Sequence, residues 1–166
     1  MSPWTLRRKA ARIVLLDDTS RILLLRAHDP GDGDRTPWWE IPGGGIDPGE
    51  TSAEGAAREL YEETGIEAEV GPCIWRQHNV FDFAGLHFDQ DEYIHLARCT
   101  GEPEFHPTHL EFIEAQAFEG HRWWTLDDLL ASDEPVLPPR LREFLPAIVA
   151  GDYPDPPADI GLIPLG

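Results

Sequence analysis

The stretch from Gly43 to Ile66, GGGIDPGETSAEGAARELYEETGI, constrains the chain more than any other. Thr51-Ser52-Ala53-Glu54 reads as a capping box, in which the threonine hydroxyl accepts from the backbone of Glu54 and the glutamate reaches back. Gly65 supplies a left-handed stop. Alanine and leucine favour a helix between these signals, and no proline interrupts it, so the spacing predicts a helix from about Ser52 to Thr64. At about 100° per residue, Arg58, Glu59, Glu62 and Glu63 share an arc of roughly 140°. Ala53, Ala56, Ala57 and Leu60 share another, suited to packing on a sheet.

Carboxylates at this spacing repel one another, weakly in water and strongly when buried. A hard divalent cation removes that conflict. Mg2+, or Mn2+ as the alternative, takes carboxylate oxygens and keeps positions free for water and phosphate. Arg58 would be the internal counter-charge, holding one carboxylate through a forked pair. The plain alternative is an acidic solvated helix, which the register of Gly44, Glu50, Arg58, Glu59, Leu60, Glu62, Glu63, Gly65 and Ile66 disfavours.

With those positions in place, the segment resembles a complete Nudix box, the signature of the Nudix hydrolases. The resemblance implies an α/β/α sandwich with a mixed sheet between helices. It also implies hydrolysis of a nucleoside diphosphate linked to another group. Carried over by position, Glu59 and Glu63 are expected to ligate the metal directly. Glu62 is expected to bind it through water or to pair with Arg58, and Glu50 to brace the arginine. The carbonyl of Gly43 is a further expected ligand. Many members add one acidic residue from a loop before a tryptophan-bearing strand. Here His121-Arg122-Trp123-Trp124 resembles that strand, and Glu111, Glu114 and Glu119 compete for the role, with Glu111 preferred.

Size and charge set outer limits. The chain has 166 residues, enough for one domain with a core, and 41% of them are hydrophobic. The expected division is a domain over residues 1–150 and a proline-rich tail over 151–166 without regular structure, which either wraps the domain or reaches a partner subunit. A net charge of -18 argues against a nucleic acid polymer or an anionic membrane as partner. It leaves a phosphorylated small molecule, because bound metal reverses the local charge. The two cysteines, Cys73 and Cys99, fit neither a zinc site nor a disulfide framework. The short apolar run near the start lacks a cleavage site, and no stretch approaches membrane-spanning length, so a cytoplasmic protein is expected. A homodimer is compatible with the resemblance.

The rest of the chain reads as sheet and turn. Arg12–Leu16 and Ile22–Leu25 form a hairpin across Asp17-Asp18-Thr19-Ser20. Arg7, Arg8, Arg12 and Arg26 surround it; all four are within reach of a phosphate or base, but the chief reading is surface charge, with Arg26 kept as a candidate substrate contact. Asp29–Asp34 is a polar loop lacking the terminal glutamate of a calcium loop. In the strand over 37–41, alternation puts Trp38 and Glu40 on one face and Trp39 and Ile41 on the other. Trp38, Glu40 and Gly44 are therefore further substrate candidates. The scattered histidines have no metal-ligand spacing and are read as structural or solvent-facing. Residues 136–150 suggest a final helix. A second functional class stays open, a nucleotide-sensing domain that binds without cutting. Phosphate release from a nucleotide panel separates it from the hydrolase.

Overall fold

The computed structural model describes residues 5–100 and 103–161. In chain order the elements are β1 (Thr5–Leu16), β2 (Ile22–Ala27), β3 (Trp38–Glu40), β4 (Gly43–Gly45), α1 (Ser52–Thr64), β5 (Glu69–Phe83), β6 (Leu86–Arg98), α2 (Phe112–Ala117), β7 (Phe118–Trp124), α3 (Leu126–Ala131), β8 (Val136–Leu137), α4 (Leu141–Val149) and β9 (Ala158–Asp159).

The strands form one mixed sheet in the order β8-β3-β2-β1-β6-β5-β9, with β4 added on β1 and β7 on β2. Its spine is β1 beside β6, parallel from Thr5↔His87 to Leu16↔Arg98. The expected hairpin joins β1 to β2. Asp17 builds its turn, accepting from the backbone N–H of Thr19 and Arg21 and from the Arg21 guanidinium at 2.7 Å. Gly71-Pro72 interrupts β5 as anticipated: pairing with β6 shifts register between Val70 and Cys73, because proline has no N–H for the ladder.

Alternation along β1 divides the core. Ala11, Ile13 and Leu15 face Ala56 and Leu60 of α1. Val14 and Leu16 face the other way, into a cluster with Leu129 of α3 and Leu141, Leu145 and Ile148 of α4. The sheet thus lies between α1 and the α3/α4 pair, the expected α/β layering. The helix face differs in detail. Gly55, Ala56 and Leu60 are buried, but so are Glu59 and Glu63, whereas Ala53 and Ala57 are only half-buried.

Two expectations along the C-terminal part are corrected. Val136–Leu137 is a strand parallel to β3, and the last helix starts only after Pro138-Pro139. The segment after 150 is tied down as far as it is described. Ala158–Asp159 pairs with Trp75–Arg76 of β5, Ile160 donates to the Arg76 carbonyl at 2.9 Å, and its side chain is buried in the α4-side core. The remaining residues of the expected tail, 162–166, lie outside the described residues. Among the described residues, no helix is long and apolar enough to cross a membrane.

Candidate functional site

The site begins with the backbone of the glycine run. Gly43, at φ +151°, and Gly44 pair with Arg12 and Ala11 of β1. A Cβ on Gly43 would stand 2.5 Å from the Ala11 carbonyl oxygen, and one on Gly44 2.7 Å from Oε1 of Glu59. Only glycine lets this strand pass between β1 and α1 so closely. Both caps of α1 form as expected. Thr51 and Glu54 make the reciprocal box, and Gly65 at φ +75° closes the helix by donating to the Tyr61 carbonyl.

Arg58 holds the loop to the helix. Its Nε and one terminal nitrogen donate to the two oxygens of Glu50 at 2.8 and 3.0 Å, the anticipated fork. The same guanidinium donates to the Gly45 carbonyl at 2.8 Å, and to Glu59 and Glu62 at 3.1 Å each. Glu50 sits below the usual carboxylate range because of its hydrogen bonds from Arg58. Of the two expected roles for Glu62, pairing with Arg58 is the one the geometry contains.

Three carboxylates converge: Glu59, Glu63 and Glu114 each bring an oxygen within 4.8 Å of the others. Glu59 and Glu63 are 5% and 1% exposed. Burial, then the charge of Glu114, pushes Glu59 up to about 7. Burial and repulsion from Glu114 and Glu59 push Glu63 well above its ordinary value. Oε2 of Glu63 accepts a 3.4 Å bond from the Gly43 N–H, while its buried Oε1 has no hydrogen-bond partner among the described residues. An orphaned buried oxygen among clustered acids fits a hard divalent cation, since all the donors are carboxylate oxygens.

The expected extra acid is placed differently. Glu111 lines the cavity but stands outside the trio, and Glu114 is within it. Glu111 is the N-cap residue of α2, and its backbone N–H donates to Oε1 of Glu114 at 3.1 Å, aiming that carboxylate. Glu119 pairs instead with Arg26, at 3.6 Å. The segment leading to α2 is strapped across the end of α1: His106 N–H donates to Thr64, and Thr108 and His109 N–H donate to Glu62.

A cavity of about 550 Å³ opens beside the trio. Trp38, Glu40, Gly43 and Gly44 line it, as expected for substrate contacts. One face of Trp38 is covered by the Arg35 guanidinium at 4.3 Å, and Phe83 meets it edge-on at 6.1 Å. Glu40 lies 3.5 Å from Arg12, and burial raises its pKa. Arg26 does not line the cavity: it pairs with Glu119 and Glu134 and lies over Trp39. Trp39 in turn packs edge-on against Trp124 in the core.

Sequence reasoning missed a polar band on the cavity floor. Arg12 donates through Nε to Glu92, whose other oxygen accepts from Asn79 at 3.0 Å. Burial alone would raise Glu92, but the Arg12 charge and these donors hold it below the usual range. The available signal was Arg8 and Arg12 on the strand face that continues as Val14 and Leu16, where solvent-facing arginines do not belong. Of the histidines, His95 is buried and bonds Ser52 and the Gly71 carbonyl, while His78 is exposed and pairs with Asp89 and Asp91.

The arrangement is a layered α/β protein with a glycine-laced turn and three clustered glutamates beside a cavity, a donor set that could hold an oxygen-bound cation. The sequence model of the NUDIX domain matches residues 6–148, and the chain belongs to that family. Over 66 residues it is 40% identical to a putative 8-oxo-dGTP diphosphatase of Bacillus subtilis (strain 168), a match covering 40% of each chain. Over 111 residues it is 31% identical to an RNA pyrophosphohydrolase of Wolbachia pipientis subsp. Culex pipiens (strain wPip), covering 61% of this chain and 67% of that one. The chain thus matches about two fifths of the length of the first relative and two thirds of the second. The fold matches a C. elegans Ap4A hydrolase binary complex with a TM-score of 0.60 at 22% identity, covering 87% of this chain and 98% of that one.

Proposed function

We propose that this chain is a Nudix hydrolase that uses Mg2+, or Mn2+ in its place, to cleave the diphosphate bond of a nucleoside diphosphate linked to another group: a nucleoside triphosphate, ADP-ribose, a nucleotide sugar or a dinucleotide. The carrying observation is Oε1 of Glu63, without a partner among the described residues, within the Glu59–Glu63–Glu114 group beside the cavity. The names of the two relatives, a diphosphatase and a pyrophosphohydrolase, support the same class of bond. The net charge of -18 favours a small phosphorylated substrate over a nucleic acid polymer.

Glu59, Glu63 and Glu114 would hold the ion, with the Gly43 carbonyl as the further ligand carried over from the family. A bound Mg2+ supplies positive charge to the diphosphate and lowers the pKa of a water. Arg58 keeps Glu59 in a fixed rotamer, and Glu50 keeps Arg58. Glu114 is the least buried of the three and sits on the cavity side, so we assign it the proton from the attacking water.

The test is a nucleotide panel with and without Mg2+. Phosphate or nucleoside monophosphate release that EDTA abolishes and Mg2+ restores is the expected result. Full activity in chelator would sink the metal role, and binding without turnover across the panel would move the chain to the nucleotide-sensing class.

A further inference from the structure

Three arginines line the cavity, and two of them have an anion. Arg12 is flanked by Glu92 and Glu40, and Arg35 lies 3.5 Å from Asp29. Arg8 has no carboxylate at ion-pair distance among the described residues. Its Nε donates to the neutral Oε1 of Gln90 at 2.8 Å, and its guanidinium lies over the Phe88 ring at 5.0 Å. One terminal nitrogen rests 3.0 Å from where a Cβ on Gly45 would stand, so the missing side chain makes its room. The four N–H groups of the two terminal nitrogens are left without a protein acceptor among the described residues.

The position is held against electrostatic cost. Burial and the neighbouring Arg12 both work against a charge on Arg8, while Glu59 and Glu111 attract it from across the cavity. Strand register explains the fixing. Arg8 lies beside Gln90 on β6, and Leu6, two residues earlier on the same face, lies beside Phe88. Neutral neighbours thus orient a cationic fork between the carboxylate trio and the aromatic wall, and nothing in the described chain fills it.

We propose that Arg8 is the binding residue for the substrate phosphate adjoining the one held at the Glu59–Glu63–Glu114 group, gripping two of its non-bridging oxygens through the guanidinium fork. This rests on the hydrolase reading and adds to it a residue that sets how many phosphates a ligand must carry. A planar fork matches two phosphate oxygens, which a lysine ammonium does not. A ligand with a single phosphate engages the trio and leaves Arg8 empty.

Calorimetric titration in excess Mg2+ with methylenediphosphonate and with inorganic phosphate tests this without any base or any turnover. The wild-type chain is expected to prefer the diphosphonate. Arg8→Gln should weaken diphosphonate binding about tenfold or more and change phosphate binding by less than about threefold. Arg8→Lys keeps the charge and the stem, and should fall between the two. Melting temperature and Mn2+ titration of both variants should match the wild type. Equal loss for both probes, no loss for either, or full retention of the preference in Arg8→Lys overturns the assignment and leaves the hydrolase reading standing. A wild-type chain that binds neither probe in the presence of metal overturns both.

Discussion

Burying Glu63 beside two other carboxylates costs the fold stability unless a cation joins them. The pH dependence follows from direction. Glu59 rises from 4.5 to about 7 in the fold, and Glu63 also rises. A carboxyl raised on folding contributes stability that is complete below its unfolded pKa and lost as pH climbs through its folded pKa. The metal-free chain should therefore lose melting temperature between about pH 4.5 and 7 on account of Glu59. Added Mg2+ should restore most of the loss at pH 8. Glu63→Gln should flatten the slope and raise the metal-free melting temperature, while lowering turnover by about 100-fold or more. A variant with unaltered turnover and an unaltered slope would remove Glu63 from the site. At this scale the sequence announced Glu50, Arg58, Glu59 and Glu63, because one helix and one loop fix their mutual positions. It ranked Glu111 ahead of Glu114, and the structure brings Glu114 into the trio instead. That choice depends on how a segment far away in sequence crosses the end of α1, and on a backbone N–H aimed at Glu114.

At the scale of elements, α1 carries its own instructions. Thr51, Glu54 and Gly65 act within a turn of their targets, so both ends were readable without tertiary information. Thr51→Ala removes one reciprocal cap bond and should cost about 1 kcal/mol by chemical denaturation. Gly65→Ala should cost more. It places an alanine at φ +75° and sets its Cβ 2.1 Å from the His106 carbonyl oxygen. The conformation alone costs about 1–2 kcal/mol, and the clash falls on backbone that cannot swing aside. Since His106 begins the strap that delivers Glu114, this substitution should also weaken Mn2+ binding, measured by titration. Thr51→Ala, at the far end of the helix, should leave it unchanged. Equal metal affinity in both variants would separate the strap from the site. The strands were less legible than the helix. The floor residues Arg8 and Arg12 passed for surface charge because strand alternation shows which side chains share a face, but not whether that face looks onto water or a cavity.

At the scale of the whole molecule, local sequence leaves open where the proline-rich segment lands. A stretch rich in proline reads as irregular, and locally it is. Its role comes from where it lands. Ala158–Asp159 covers the outer edge of β5, and the Gly161 carbonyl accepts from Arg140 at 2.9 Å. Ile160 enters the core between the sheet and α4. One buried isoleucine contributes roughly 1.5–3 kcal/mol, and a covered strand edge no longer offers its backbone to a neighbouring chain. Removing residues 152–166 should therefore lower the melting temperature by about 4–10 °C for a chain of this size. It should also raise light scattering on heating, as the bared β5 edge seeks partners. Ile160→Asp in the full-length chain distinguishes the two contributions. It should reproduce the loss of melting temperature while keeping the edge paired and the scattering low. The trio of glutamates is carried by α1 and α2 rather than by β5 or β9, and Gly43 of β4 donates to Glu63 within it. Mn2+ affinity measured well below the melting temperature should be the same in the truncated and complete chains. A truncated chain with unaltered melting temperature would mean that the edge strand contributes nothing to the fold.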